Sequence, residues 1–148
     1  MNIEQALSKA MQHQSAGRYA EAEQLYRQVL QVDPRQPVAR HLLGVLAHLA
    51  GQSEAGIELI QSALEIAPDY VAALNNLGNV YRDLGRTADA AAAYAEALTI
   101  KPDYAEALGN LGLVQQALGD IDAAITSLRR AVEIKPGMPD TLNNLGNA

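Results

Sequence analysis

The sequence predicts an all-α chain made of a repeated pair of helices, and three observations carry that reading. Pro34, Pro68, Pro102 and Pro136 fall 34 residues apart. Gly17, Gly51, Gly85 and Gly119 keep the same interval, as do Gly44, Gly78, Gly112 and Gly146. Between these marks apolar residues recur in steps of three and four, the spacing of one helix face and not of a strand. A fixed period of this size marks a repeat architecture rather than a single globular core.

A frame starting at residue 3 gives units 3–36, 37–70, 71–104 and 105–138, followed by a ten-residue remainder, 139–148, that begins a fifth. In the first unit Gly17 stands where the first helix must end, and can take the left-handed conformation that closes a helix C-terminus. Pro34 ends the second helix, because its ring cannot continue the hydrogen-bond ladder. The second unit repeats both signals at Gly51 and Pro68 and adds Gly44 in mid-helix, where glycine costs about 1 kcal/mol relative to alanine. That cost is explained if another helix crosses closely. The small residues Ala22, Gly56, Ala90 and Ala124 of the second helices are the expected crossing points.

In the third unit Leu74, Leu77, Val80, Tyr81 and Leu84 precede Gly85, and Ala90, Tyr94, Ala97, Leu98 and Ile100 follow it. This is the pattern of two amphipathic helices of about 14 residues. The run Ala90–Ala93 is a strong helix former and a close-packing surface. Asp69 and Asp103 each follow a proline and precede a helix, as N-cap candidates, and Asp103 with Glu106 has capping-box spacing. In the fourth unit Asp120 and Asp122 open a second helix, where acids favour the helix dipole. The remainder starts a first helix carrying Leu142 and Leu145, with no second helix to cover them.

Composition narrows the function classes. The chain has 148 residues, 49% of them hydrophobic and 19% charged, too apolar for a disordered segment. It has no cysteine, which excludes a disulfide scaffold, thiolate zinc sites and a cysteine nucleophile. A formal charge of −6 is the wrong sign for a nucleic-acid or anionic-membrane binder. The start, Met1-Asn2-Ile3-Glu4-Gln5, lacks the basic and apolar regions of a signal peptide. No apolar run approaches the roughly 20 residues of a membrane span. A soluble, cytoplasmic chain is expected.

The punctuating residues resemble those of the tetratricopeptide repeat family along almost the whole chain. Leu74…Leu77-Gly78…Tyr81…Ala90…Tyr94…Ala97…Pro102 and Leu108…Leu111-Gly112…Ala124…Leu128…Ala131…Pro136 carry the likeness best. The first unit departs most, with Lys9 and Ala10 at the family's leucine and glycine positions; a polar outer edge suits the terminal repeat of a stack. Arg40 takes a position usually apolar or aromatic in the family. The resemblance implies a right-handed α-solenoid, a single array of stacked helix pairs with the first helix of each lining a concave groove. It also implies a non-catalytic scaffold that holds a peptide or partner helix there.

In that frame the groove residues are Leu7 and Met11, then His41, Leu42, Val45, His48 and Leu49. After them come Asn75, Asn76, Asn79 and Arg82, and then Asn110, Leu113 and Asn144. The N-terminal part is apolar with two histidines, whereas the third repeat is rich in amides. Asn76, Asn110 and Asn144 lie one repeat apart, and an asparagine amide can both donate to and accept from a peptide backbone. Such a row resembles the asparagine ladder in the repeat region of O-linked N-acetylglucosamine transferases. Asparagine at this offset is also common in the family at large, where it bonds within or between repeats. Both readings stay open on the sequence.

Other chemistries fit poorly. The family's clamp for a chaperone's C-terminal carboxylate needs several groove bases, and Arg82 is the only one here. His41 and His48 stand about 10.5 Å apart along a helix rising roughly 1.5 Å per residue, too far to share a metal unaided. The glycines are isolated, not clustered as in a phosphate loop. No cofactor, metal or catalytic set is expected. Two alternatives to a free-standing interaction module remain. One is the substrate-selecting segment of a larger glycosyltransferase or sulfotransferase, because Tyr19-Ala20-Glu21-Ala22-Glu23…Tyr26 resembles the N-terminal repeat regions attached to bacterial enzymes of those kinds. The other is a self-assembling module that associates through the incomplete repeat 139–148.

Overall fold

The computed structural model describes residues 1–136, and those residues form α-helices joined by short turns. Residues 137–148, including Asn144, Leu142, Leu145 and the incomplete repeat, lie outside the described residues. The first helices are α1 (Ile3–Ser15), α3 (Pro37–Leu49), α5 (Val71–Asp83) and α7 (Ala105–Ala117). Each starts at the first residue of a 34-residue frame. The second helices are α2 (Tyr19–Val32), α4 (Ser53–Ile66), α6 (Thr87–Ile100) and α8 (Ile121–Ile134). The chain divides into two units, one ending at Pro68 and one beginning at Asp69, so the division falls between α4 and α5.

Each turn inside a repeat is closed in the same way. In the first, Arg18 N–H donates to the carbonyl of His13 at 2.8 Å and Gly17 N–H to that of Gln14 at 3.0 Å. These are the two bonds of a Schellman motif, which needs a left-handed residue at its corner. Gly17, Gly51, Gly85 and Gly119 supply it, with φ between 76° and 85°. A Cβ at any of the four would meet nothing within 4 Å. The cost of replacing one is therefore backbone strain alone. Gly51→Ala is expected to lower unfolding stability by about 1 kcal/mol, read from the urea midpoint at constant slope.

Between repeats the prolines act through their predecessors. Steric conflict with a following proline ring drives a residue out of the helical region. Asp33, Ala67, Lys101 and Lys135 all obey, with φ from −129° to −138° and ψ from 81° to 92°. In two of these turns the residue after the next donates back: Gln36 N–H to Asp33 O and Tyr104 N–H to Lys101 O, both at 3.1 Å. Proline is thus the second residue of a four-residue turn, where its fixed φ is already suitable.

That turn overrides the expected caps. Asp69 and Asp103 are still inside it, and the N-cap positions fall to Tyr70 and Tyr104, neither of which caps through its side chain. The capping box of Asp103 with Glu106 does not form. Side-chain caps appear in the first unit instead, with Gln5 N–H donating to Asn2 Oδ1 and Val38 N–H donating to Gln36 Oε1. Arg40 also finds a role there. Its Nε donates to the Pro34 carbonyl at 2.7 Å and ties the turn to α3.

The core of the first unit joins Leu7 and Ala10 of α1, Ala22, Tyr26 and Val29 of α2, and Ala39, Leu43 and Leu46 of α3. In the second unit Ala90 and Tyr94 of α6 meet Val114 of α7, with Tyr81, Ala91 and Leu111 packed around them. One position recurs in every repeat: Tyr26, Ile60, Tyr94 and Leu128 are all fully buried. Burial of such a side chain contributes about 1.5–3 kcal/mol.

The mid-helix glycines sit at close crossings, though of two kinds. At Gly44 the crossing is backbone on backbone, since a Cβ would stand 2.8 Å from the Gly56 carbonyl oxygen. At Gly78 and Gly112 the space is filled by the Tyr94 ring and by Leu128. Gly56 is thus the expected crossing point, and a Cβ on Gly112 would also stand 3.3 Å from the Ala124 carbonyl oxygen. For Gly78 the nearest group is the Tyr94 ring rather than Ala90.

Candidate functional site

In the first unit, α1 and α3 bring several of the expected groove residues together. Met11, Gln14, Ser15, Tyr19, Leu42 and Leu49 line an open hollow of about 460 Å³. Leu49 is 55% exposed, Tyr19 47% and Met11 39%, so its apolar wall faces solvent. A shallower depression continues along α1 past Glu4, Leu7, Ser8 and Met11. Behind the hollow, Tyr26 Oη donates to Gln14 Oε1 at 2.7 Å, fixing the glutamine from the core side. A third recess of about 370 Å³, which the periodicity did not suggest, lies between α2 and the α3–α4 pair and shares Tyr19 and Leu49. The only sequence signal for it was the pairing of an exposed aromatic with a leucine at a helix end.

Other expected residues of this unit are placed differently. Leu7 reaches the α1 depression with only a small part of its surface, being 8% exposed and part of the core. His41 is 2% exposed, and desolvation by burial lowers its pKa from 6.5 to about 4, so the ring is neutral at pH 7. Val45 and His48 are half-buried, and His48 Nδ1 lies 2.8 Å from Ser53 Oγ across the α3–α4 turn. Among the described residues no group of three or more His, Cys, Asp or Glu side chains could hold a metal ion.

The second unit carries the amide cluster. Asn110 of α7 links to α5 twice: its Nδ2 donates to Asn75 Oδ1 at 3.0 Å, and its Oδ1 accepts from Arg82 at 3.2 Å. Asn79 Nδ2 donates to Asn76 Oδ1 at 3.4 Å, and Asn79 Oδ1 accepts from Tyr94 Oη at 2.6 Å. Burial raises the Tyr94 pKa to about 12; Arg82 opposes that shift and Asp83 adds to it. The phenol therefore stays a proton donor and pins Asn79 from beneath. Asn75 is 4% exposed, whereas Asn76, Asn79, Arg82, Asn110 and Leu113 are half-buried.

The row expected from Asn76 to Asn110 is thus laced into the protein. Across the repeats Asn110 bonds to Asn75 and Arg82. Each amide can make about four hydrogen bonds, so two bonds at Asn110 leave capacity for a ligand. Periodicity did not reveal Tyr94 or Tyr26 as supports. The available signal was that a buried tyrosine hydroxyl needs a partner.

On the second helices the acidic residues Glu21, Glu54, Glu58, Glu65, Asp89, Glu96, Asp122 and Glu133 are exposed and Glu23 is half-buried. Two of them form ion pairs, Glu23 with Arg27 and Asp89 with Arg86, both on the surface. Such pairs contribute about 0–1 kcal/mol each. No helix among the described residues is long and apolar enough to cross a membrane.

Comparison with known proteins agrees with the fold of paired helices. No curated protein matches the chain. Among solved structures, that of MamA is 25% identical, with a TM-score of 0.79 over 93% of this chain and 81% of MamA. PilF of Pseudomonas aeruginosa is 20% identical, with a TM-score of 0.92 over 98% of this chain and 66% of PilF. A thermophilic repeat protein of Thermus thermophilus is 24% identical, with a TM-score of 0.83, covering 98% of this chain and 80% of that one. Below 25% identity such a likeness speaks for the fold. Models of the tetratricopeptide repeat match residues 13–79 and 75–139, overlapping in α5. With helix pairs at a 34-residue period, a glycine corner in each and a proline turn after each, this chain belongs to the tetratricopeptide repeat family.

Proposed function

We propose that the chain is a non-catalytic interaction module that binds a peptide or partner helix on its first helices. The observation that carries this reading is the open apolar hollow of Met11, Leu42 and Leu49. Exposed apolar side chains gathered in a concavity are a standing cost in water, which a partner's apolar residues remove. The amide cluster of the second unit is suited to a different task. Hydrogen-bond capacity left at Asn79 and Asn110 suits the main chain of a bound peptide, whose polar groups need partners when covered.

A random-peptide display selection against the purified chain tests this. It is expected to enrich peptides with apolar anchors, and Leu49→Asp is expected to weaken them at least about tenfold, since a buried leucine contact is worth roughly 1.5–3 kcal/mol. Glu58→Lys, on the exposed side of α4, serves as the unaffected control. Asn76→Ala combined with Asn110→Ala is expected to weaken the same peptides with helicity retained. A selection without a peptide family, or one indifferent to Leu49→Asp, overturns the reading; indifference to the asparagine pair confines those residues to an internal role.

A further inference from the structure

We infer that the recess between α2 and the α3–α4 pair binds a free small molecule, a flat aromatic ring system with one N–H donor, of the indole class. The inference goes beyond the peptide reading and does not rest on it. Met11 and Leu42 line the hollow, whereas the recess has a floor of its own, built from Leu43, Leu46, Ala47 and Leu59. Tyr19 adds an aromatic ring to its wall, and its volume is about 370 Å³. An engineered apolar cavity of about 150 Å³ takes benzene, so this one has room for a two-ring molecule.

The repeat itself does not require these residues. Two periods on, Thr87, Ala91 and Ala95 hold the frame positions of Tyr19, Glu23 and Arg27. Gln115 and Ser127 hold those of Ala47 and Leu59, and there Ser127 Oγ donates to Gln115 Oε1 at 2.8 Å. A polar bridge in the second unit thus stands where the first keeps apolar surface. The polar chemistry of the recess comes from Glu23 and Arg27, which line it and remain partly exposed. Arg27 Nε and Nη2 both donate to one Glu23 oxygen, Oε1, at 3.3 and 3.0 Å. A carboxylate offers about four acceptor sites, so Glu23 can take an N–H from a ligand without giving up Arg27. That pair also holds the guanidinium at the recess, and a cation is attracted to the face of an aromatic ring. An apolar floor, a cation for a ring face and an acceptor for one donor together describe the ligand.

The test titrates indole into the full chain labelled with nitrogen-15. Indole is expected to shift the backbone amide signals of Ala20, Ala47 and Leu59 saturably, with half-saturation on the order of 1 mM for a ligand of this size. Benzofuran has the same shape without the N–H and is expected to bind about fivefold more weakly, the contribution of one partly solvated hydrogen bond. Glu23→Ala removes only a surface ion pair from the fold and is expected to abolish that ratio. N-acetyltryptophanamide, which stands for a partner's tryptophan, is expected to bind no better than indole. Absent shifts, shifts confined to Met11 and Leu42, or equal binding of indole and benzofuran overturn the inference on the wild type alone. A ratio that persists in Glu23→Ala overturns the acceptor role of Glu23, and tighter binding of N-acetyltryptophanamide overturns the free small molecule in favour of a protein partner. If indole binds as expected but display selection yields no peptide family, the peptide reading falls while this site stands.

Discussion

Gly44→Ala is expected to destabilise the protein by about 2 kcal/mol, the range of overpacking at a closed contact. The sign is the informative part. Alanine in a helix interior is better than glycine by about 1 kcal/mol, so propensity alone predicts a gain. Geometry decides otherwise. A Cβ on Gly44 would stand 2.8 Å from the carbonyl oxygen of Gly56, 2.9 Å from Ile60 Cγ1 and 3.1 Å from Leu59 Cβ. The first of these is backbone and cannot rotate away; Ile60 is fully buried and has nowhere to go. Helices α3 and α4 must therefore separate. The same contact seen from the other side is tighter still, with a Cβ on Gly56 2.6 Å from the Gly44 oxygen.

Two measurements check this. The urea midpoint of Gly44→Ala is expected to fall with little change in slope. Peptides selected against wild type are expected to bind the variant less well, because Leu42 and Leu49 ride on the helix that has to move. Gly51→Ala, on the same helix pair but at the turn, strains φ without touching a neighbour, and is expected to leave peptide affinity unchanged. A midpoint that rises in Gly44→Ala would mean that the crossing is looser than the 2.8 Å contact requires.

These two glycines also show which parts of the fold were legible in the sequence. A left-handed corner excludes nearly every other residue, so Gly51 encodes its own conformation. A proline dictates the backbone before it, so Pro68 encodes the end of α4. The start of α5 is different. Asp69 has the right residue type for a cap, but the turn opened by Pro68 places Tyr70 at that position. Cap preference is a weak term beside the closure of a four-residue turn.

The site was legible only to the level of a helix face. Asn75 and Asn76 are neighbours in sequence, roughly 100° apart around the helix, and both fell within the expected face. Packing separates them: Asn75 is 4% exposed and bonded to Asn110, while Asn76 is half-buried. Which polar residue at the edge of an amphipathic face becomes covered depends on the side chains of neighbouring helices, and no periodicity contains that. The apolar hollow was easier to anticipate. Met11, Leu42 and Leu49 are apolar residues that the core pattern left unused.

His41 gives the second large effect, in the pH dependence of stability. Its ring is 2% exposed, and desolvation holds its pKa at about 4 instead of 6.5. Above pH 6.5 the ring is neutral in both folded and unfolded chains, and its contribution is fully present. Below 6.5 the unfolded chain takes up a proton that the folded chain refuses until about pH 4. Stability is therefore lost as pH falls through that window and levels off beneath it. At roughly 1.4 kcal/mol per pKa unit the loss amounts to about 3 kcal/mol. Carboxylates titrate over part of the same range, so the wild-type curve alone cannot assign the effect. His41→Gln separates the two, since it keeps a polar side chain but cannot titrate. Urea unfolding of both proteins from pH 7.5 to 4 is expected to show the wild type losing about 3 kcal/mol relative to the variant, whatever the variant's cost at pH 7.5. Parallel curves would place His41 within reach of water in the folded chain. The direction also separates the groove histidine expected from the sequence, which when solvated gives no slope, from the buried one of the structure, which gives this slope.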